Sequence, residues 1–198
     1  MTTLLKTNHS SLIVHDLDND TCELIKTCVE TIDSELDVNP EFIIFGKMCH
    51  QNRSVGFYSD ESTGYNYGTS ITPAKKMHPC LRELLIFIND KFDYNYNGIL
   101  INKYLNGEDY IGRHSDDTRG LDPKVGVIML SYGAVRKFRI RHKSTNKLPG
   151  TLEMDIPTEP TKIIQMAGNF QKEFKHEIPV EKKVKDVRYS FTFRKHLK

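Results

Sequence analysis

The chain has 198 residues, enough for one domain with a sizeable core, and its 38% hydrophobic and 27% charged residues are those of an ordinary soluble globular protein. A formal net charge of +2 neither demands nor excludes a nucleic-acid partner, so local clustering of charge must decide. No apolar run approaches the ~20 residues of a membrane span. MTTLLKTNHSSL lacks the apolar stretch of a signal peptide, and Cys22, Cys28, Cys49 and Cys80 form no CxxC pair, so reduced thiols in an intracellular compartment are expected rather than a zinc site.

Residues 1–20 carry no assigned element. The first helix is predicted from about Thr21 to Leu36, with Asp20 as cap, Glu23 reaching back, and Leu24, Ile25, Cys28, Val29, Ile32 and Leu36 as its apolar stripe. EFIIFGKM reads as a short strand and tight turn, and Gln51 to Pro73 as irregular and rich in Gly and Tyr. A second helix starts near Pro79, a favoured first-turn residue. After Asn97 short strand-like runs follow one another: GILINKYL, VGVIMLSYG, VRKFRIRH, TLEMDI, TKIIQM, EFKHEIPV and VRYSFTFR. Turn residues separate them, which predicts an antiparallel sandwich or barrel. The expected class is α+β, with N-terminal helices buttressing a jelly-roll core.

RYSFTFR, Arg188 to Arg194, raises a question of its own. Strand alternation puts Tyr189, Phe191 and Phe193 on one face and Arg188, Ser190, Thr192 and Arg194 on the other. The polar face is either a solvated outer surface or a pocket in which a guanidinium meets an anion. His114 and Asp116, two residues apart in YIGRHSDDTRG, can converge on one point, and His176 in FKHEIPV can supply a third ligand. Two histidines and a carboxylate form the facial triad of non-heme Fe(II) oxygenases. Enzymes of that type bind the dianion 2-oxoglutarate, whose distal carboxylate needs a cation; the fork of Arg188 fits it.

HxD, a distant His and RxxxxxR together resemble the motif set of the AlkB-type 2-oxoglutarate/Fe(II) dioxygenases. IFGK, INKYLNGEDYIGRHSDD, LSYGAVRKFRIRHK, IPVEKKV and VRYSFTFRKH are similar, in the same order, to the nuclear branch that repairs alkylated double-stranded DNA. The resemblance implies one domain over 1–198. Residues 1–96 would form N-terminal helices plus a nucleotide-recognition lid, and 97–198 a double-stranded β-helix (jelly-roll) catalytic core. It implies Fe(II) on His114, Asp116 and His176, and 2-oxoglutarate on Arg188 and Arg194, with Asn102, Tyr104, Ser190 and Thr192 on the same pocket faces. Ser190 departs from the family pattern RxNxTxR; serine is shorter than asparagine and has one donor rather than two.

For the substrate, the resemblance assigns Phe45 as a wedge that fills the hole left by a flipped base, an alternative to its being core in FIIF. Tyr67 would stack on the base, Tyr65 would bond its edge, and His114 would cover its other face. Asp117 faces either the exocyclic amine of a methylated base or a neighbouring Arg113 or Arg119. Arg53 matches an arginine near the lesion strand. Arg136, Lys137, Arg139, Arg141, His142 and Lys143, then Lys182, Lys183 and Lys185, form two basic runs suited to phosphates, the first read as one outward face.

The implied activity is oxidative demethylation of 1-methyladenine and 3-methylcytosine in DNA, with 2-oxoglutarate and O2 giving succinate, CO2 and formaldehyde. The expected partner is duplex DNA, bound by a monomer, nuclear if the source is eukaryotic or a nuclear-replicating virus and otherwise cytoplasmic. Alternatives are the same chemistry on methylated RNA or on a protein side chain, a nucleic-acid-binding module without turnover, or a cupin-like holder of another metal.

Overall fold

The computed structural model describes residues 1–44, 46–67, 70–122, 124–143 and 153–197. In chain order its elements are β1 (Thr2–Lys6), β2 (Ser10–Asp16), α1 (Asn19–Ile32), β3 (Glu41–Ile44), β4 (Lys47–His50), β5 (Ser54–Tyr58), β6 (Gly64–Tyr67), β7 (Ser70–Lys75) and α2 (Pro79–Phe92). They continue with β8 (Gly98–Tyr104), β9 (Ile111–His114), β10 (Val127–Gly133), β11 (Lys137–His142), β12 (Glu153–Pro157), β13 (Lys162–Gly168), α3 (Phe170–Glu173), β14 (Phe174–Ile178) and β15 (Arg188–Arg194).

The strands make a large sheet of nine, ordered β1-β2-β13-β10-β15-β8-β5-β7-β6, and a small sheet of four, ordered β12-β11-β14-β9. β3 and β4 stand apart as a hairpin whose turn holds Gly46 at φ +74, a conformation glycine adopts at little cost. Pairing is antiparallel throughout except between β5 and β7. The two sheets face each other as a jelly roll. The large one draws strands from both sides of residue 97.

β15 lies between β10 and β8, and all seven of its residues are buried. Tyr189, Phe191 and Phe193 pack with Ile25, Cys28, Val29 and Ile32 of α1 and Leu81, Leu84 and Ile88 of α2. Each buried Phe contributes about 1.5–3 kcal/mol. That apolar face pins the strand, so the opposite face points between the sheets, not at solvent. A second core fills the space between the sheets from Met129, Phe138, Ile140, Phe170, Phe174 and Ile178.

Three expectations change. α1 begins earlier than Thr21, because Asp18, not Asp20, accepts from the Thr21 amide at 2.8 Å. It also ends at Ile32, with a short 3-10 turn over Asp33–Glu35. Residues 1–20 supply β1 and β2, which join the large sheet through β13. The stretch 51–73 is not irregular: it contributes β5, β6 and the first part of β7. No helix among the described residues is long and apolar enough to cross a membrane.

Candidate active site

His176 of β14 lies directly opposite His114 at the end of β9, in register. Asp116 sits two residues beyond that strand end, in the following loop rather than on the strand. The side chains nevertheless converge: one ligand atom from each of His114, Asp116 and His176 lies within 4.8 Å of the others. Asp116 Oδ1 is 3.7 Å from His114 Nε2 and 3.5 Å from His176 Nε2. His114 Nδ1 donates to the Gly112 carbonyl at 2.8 Å, which fixes the tautomer and leaves Nε2 as a free lone pair. Burial, then the neighbouring His176, lowers the His114 pKa to about 3, so the ring is neutral at pH 7.

The other Asp116 oxygen, Oδ2, accepts from Arg194 Nη2 at 2.6 Å and Nε at 3.1 Å. Burial opposes ionisation of this carboxyl, but Arg194 and the two imidazoles outweigh it and hold its pKa well below the usual range. Gln171 of α3 accepts from the Asp116 amide at 2.9 Å and reaches Oδ2 with its own Nε2 at 3.5 Å. Nothing in the sequence flagged Gln171; only the fold brings α3 against the loop after β9.

A cleft of about 500 Å³ opens beside the triad, lined by Asn102, Tyr104, Arg188, Ser190, Thr192 and Arg194 among others. All six expected cosubstrate residues are therefore together. Arg188 is fully buried; it donates through Nε to Thr158 Oγ1 at 3.0 Å and through Nη2 to Ser131 Oγ at 2.9 Å, with its guanidinium 5.2 Å over the Tyr104 ring. Burial lowers its pKa to about 10, still cationic at pH 7. Its Nη1 has no partner, nor has Arg194 Nη1. Two buried guanidinium nitrogens facing one cleft without an acceptor are suited to a carboxylate-bearing ligand. Two imidazoles and one carboxylate oxygen, open on the cleft side, are a donor set suited to Fe(II). The residues fit both Fe(II) and 2-oxoglutarate. Ser131 and Thr158, which orient Arg188, were not legible as site residues; one is an ordinary hydroxyl within β10 and the other follows the end of β12.

Phe42, Ile43, Tyr65, Tyr67, His114, Ser115 and Asp117 line an adjoining cleft of about 550 Å³. Tyr65, Tyr67 and His114 border both spaces, so the second opens onto the metal triad. Tyr65 is buried against Arg194, whose guanidinium is 4.8 Å from its ring centroid. The rings of Tyr67 and His114 are 6.5 Å apart and inclined at 73°. Asp117 is taken by Arg119, which donates to it from Nε at 2.9 and 3.0 Å; Arg113 pairs instead with Glu177 at 3.4 Å. Phe45 lies outside the described residues.

The basic run of β11 does not form one outward face. Arg136 shares strand parity with Phe138 and Ile140 and is buried, donating to the carbonyls of Asn106, Asp109 and Pro179 and to Glu181. On the outer parity, Arg139 donates to Asp155 at 2.7 and 2.9 Å and Arg141 to Glu153, both acids on the adjacent β12. Lys143 donates to the Gln171 carbonyl at 2.7 Å. Lys182 and Lys183 are exposed in the turn before β15 and have no ion-pair partner among the described residues.

Residues 5–194 match the model of the 2OG-Fe(II) oxygenase superfamily. The human DNA oxidative demethylase ALKBH2 is 33% identical over 158 residues, 78% of this chain and 60% of that protein. The human alpha-ketoglutarate-dependent dioxygenase alkB homolog 3 is 30% identical over 148 residues, 73% of this chain and 51% of that protein. The chain thus spans less than two thirds of either relative. The solved structure of OsALKBH1 superposes with a TM-score of 0.58 at 12% identity, covering 93% of this chain and 97% of that one, a likeness of fold. The match across nearly the whole chain and the His114, Asp116 and His176 constellation agree: the protein belongs to the 2OG-Fe(II) oxygenase superfamily, in its AlkB-type group.

Proposed function

We propose that the protein oxidatively demethylates N-alkylated bases in DNA, 1-methyladenine and 3-methylcytosine, consuming 2-oxoglutarate and O2 and giving succinate, CO2 and formaldehyde. The observation that carries this reading is the convergence of the metal triad and two buried, partnerless guanidinium nitrogens on one cleft that opens beside Tyr67. The relatives named DNA oxidative demethylase support the substrate class.

His114, Asp116 and His176 would hold Fe(II). When bound, Fe(II) with 2-oxoglutarate and O2 supplies the oxidation of an N-methyl group to a hydroxymethyl group, which leaves as formaldehyde. Arg188 Nη1 would receive the distal carboxylate of the cosubstrate. Ser131, which accepts from Arg188 Nη2, helps to orient that guanidinium. Arg194 holds Asp116 ionised and turns Oδ1 towards the histidines. Tyr67 offers a stacking face for a flipped base, worth roughly 1–3 kcal/mol. Lys182 and Lys183, exposed and without an ion-pair partner among the described residues, would be available to phosphates. A monomer acting on duplex DNA, in the nucleus of a eukaryotic source, completes the reading.

The test combines purified protein, Fe(II), ascorbate, 2-oxoglutarate and oligonucleotides that carry one 1-methyladenine or 3-methylcytosine, single-stranded and in duplex. Formaldehyde should appear in step with succinate and with loss of the lesion. Succinate without lesion loss would transfer the chemistry to another substrate. Phe45→Ala should harm duplex repair more than single-strand repair; equal losses would remove the wedge.

A further inference from the structure

Sequence resemblance directs Arg53 to the lesion strand, yet the structure buries it at 3% exposure in the wall of the cosubstrate cleft. Its Nε donates to Asn102 Oδ1 at 2.7 Å, and its guanidinium lies 5.3 Å from the centroid of the Tyr67 ring. Among the described residues no acid pairs with it. The same cleft is lined by Arg188 and Arg194, so three guanidiniums there face one carboxylate, that of Asp116.

We infer that Arg53 is a positioning residue for the cosubstrate: it locks the Asn102 carboxamide with Nδ2 turned to the bound diacid, and so offsets the donor that Ser190 lacks. This rests on the reading that the cleft takes 2-oxoglutarate. An N–H donor accepts no N–H, so the bond from Arg53 settles which end of the amide it faces. Oδ1 is held by Arg53, and Nδ2 has no partner among the described residues. Reversed, the amide would present its oxygen to an incoming carboxylate, acceptor against acceptor.

Ser190 stands opposite Asn102 in the β15–β8 register, and opposite Ser131 in the β15–β10 register. Asn102 is thus the one amide in this row of three, the other two being short hydroxyls. Fixing its orientation recovers a donor that a serine at 190 cannot extend far enough to give. The contact of Arg53 with Tyr67 means that the same side chain borders the cleft where a base would stack.

The test is calorimetric titration of 2-oxoglutarate into the Mn(II)-loaded full chain without nucleic acid. Wild type, Arg53→Leu, Asn102→Leu and the double variant are compared, with Mn(II) affinity measured first. Arg53→Leu and Asn102→Leu should each weaken 2-oxoglutarate about tenfold, and the double variant should lose little more than either. Mn(II) affinity should stay at the wild-type value, which a general collapse of the fold would not allow. Arg53→Lys, which keeps the charge without the rigid fork, serves if Arg53→Leu does not fold, and should also weaken binding. Unchanged 2-oxoglutarate affinity in the folded Arg53 variants, or additive losses, would overturn the inference. Wild-type protein that binds Mn(II) but no 2-oxoglutarate would instead sink the cosubstrate reading itself.

Discussion

Arg194 donates twice to the same oxygen of Asp116, through Nη2 at 2.6 Å and Nε at 3.1 Å, and leaves the other oxygen to the histidines. One carboxylate thereby serves as metal ligand and as counter-ion. Asp116→Ala should abolish metal binding and also strand a buried guanidinium, at about 3–5 kcal/mol. Urea unfolding of the metal-free proteins measures this, and an unchanged midpoint would contradict it. The carboxyl pKa is lowered on folding, so its contribution is complete above the unfolded value near 3.9 and is lost as pH falls below it.

Gln171 accepts from the Asp116 backbone amide and reaches Oδ2, the oxygen that Arg194 also holds. Gln171→Leu should weaken divalent-metal binding about 10- to 100-fold, the usual effect of losing a group that orients a ligand. Competition with a chelating dye would reveal it. Wild-type metal affinity in this variant would reduce Gln171 to a packing residue.

Arg188→Gln removes the charge from the far end of the cleft while retaining a donor. A charge-assisted hydrogen bond contributes about 1.5–3 kcal/mol. The 2-oxoglutarate concentration for half-maximal turnover should therefore rise roughly 10- to 150-fold, with little change in the limiting rate. Steady-state titration of cosubstrate decides, and an unmoved KM would move the diacid elsewhere.

Ser190→Asn restores the amide found in the family pattern. Placed beside Asn102, it should tighten 2-oxoglutarate about two- to tenfold, the value of one added neutral hydrogen bond. Weaker binding in this variant would show that the row opposite Asn102 has no room for the longer side chain.

Tyr67→Ala should raise KM for a lesion-bearing oligonucleotide roughly 5- to 150-fold through loss of stacking, and leave the cosubstrate KM alone. Equal effects on both would mean that Tyr67 acts chiefly by supporting Arg53.

Most strands after residue 97 were legible because apolar alternation and turn residues agree there, and His176, Arg188 and Arg194 came with them; the short β9, which carries His114, was not among the expected runs. β15 was readable to the side chain: one apolar face fixed the other. Arg136 was misread because a basic run invites a single surface, although its parity with Phe138 and Ile140 already pointed inward. The neutralising acids of β12, Glu153 and Asp155, lie 12 and 16 residues from Arg141 and Arg139, and only strand pairing brings them alongside. β1 escaped because as the edge strand it is mostly exposed, and β2 because most of its residues are only partly buried, so the apolar alternation of both is weak. Thr158, Ser131 and Gln171 are common polar residues whose roles exist only through contacts made across the fold.

The cross-strand pairing of His114 with His176 turns ion capture into a proofreading step for the smaller sheet. Sliding β9 by one residue along β14 would swing the first imidazole to the other side of the pleat and dismantle the triad. A divalent ion therefore rewards only chains that have zipped these two strands correctly, and by mass action it would draw slipped or half-assembled molecules towards that single alignment.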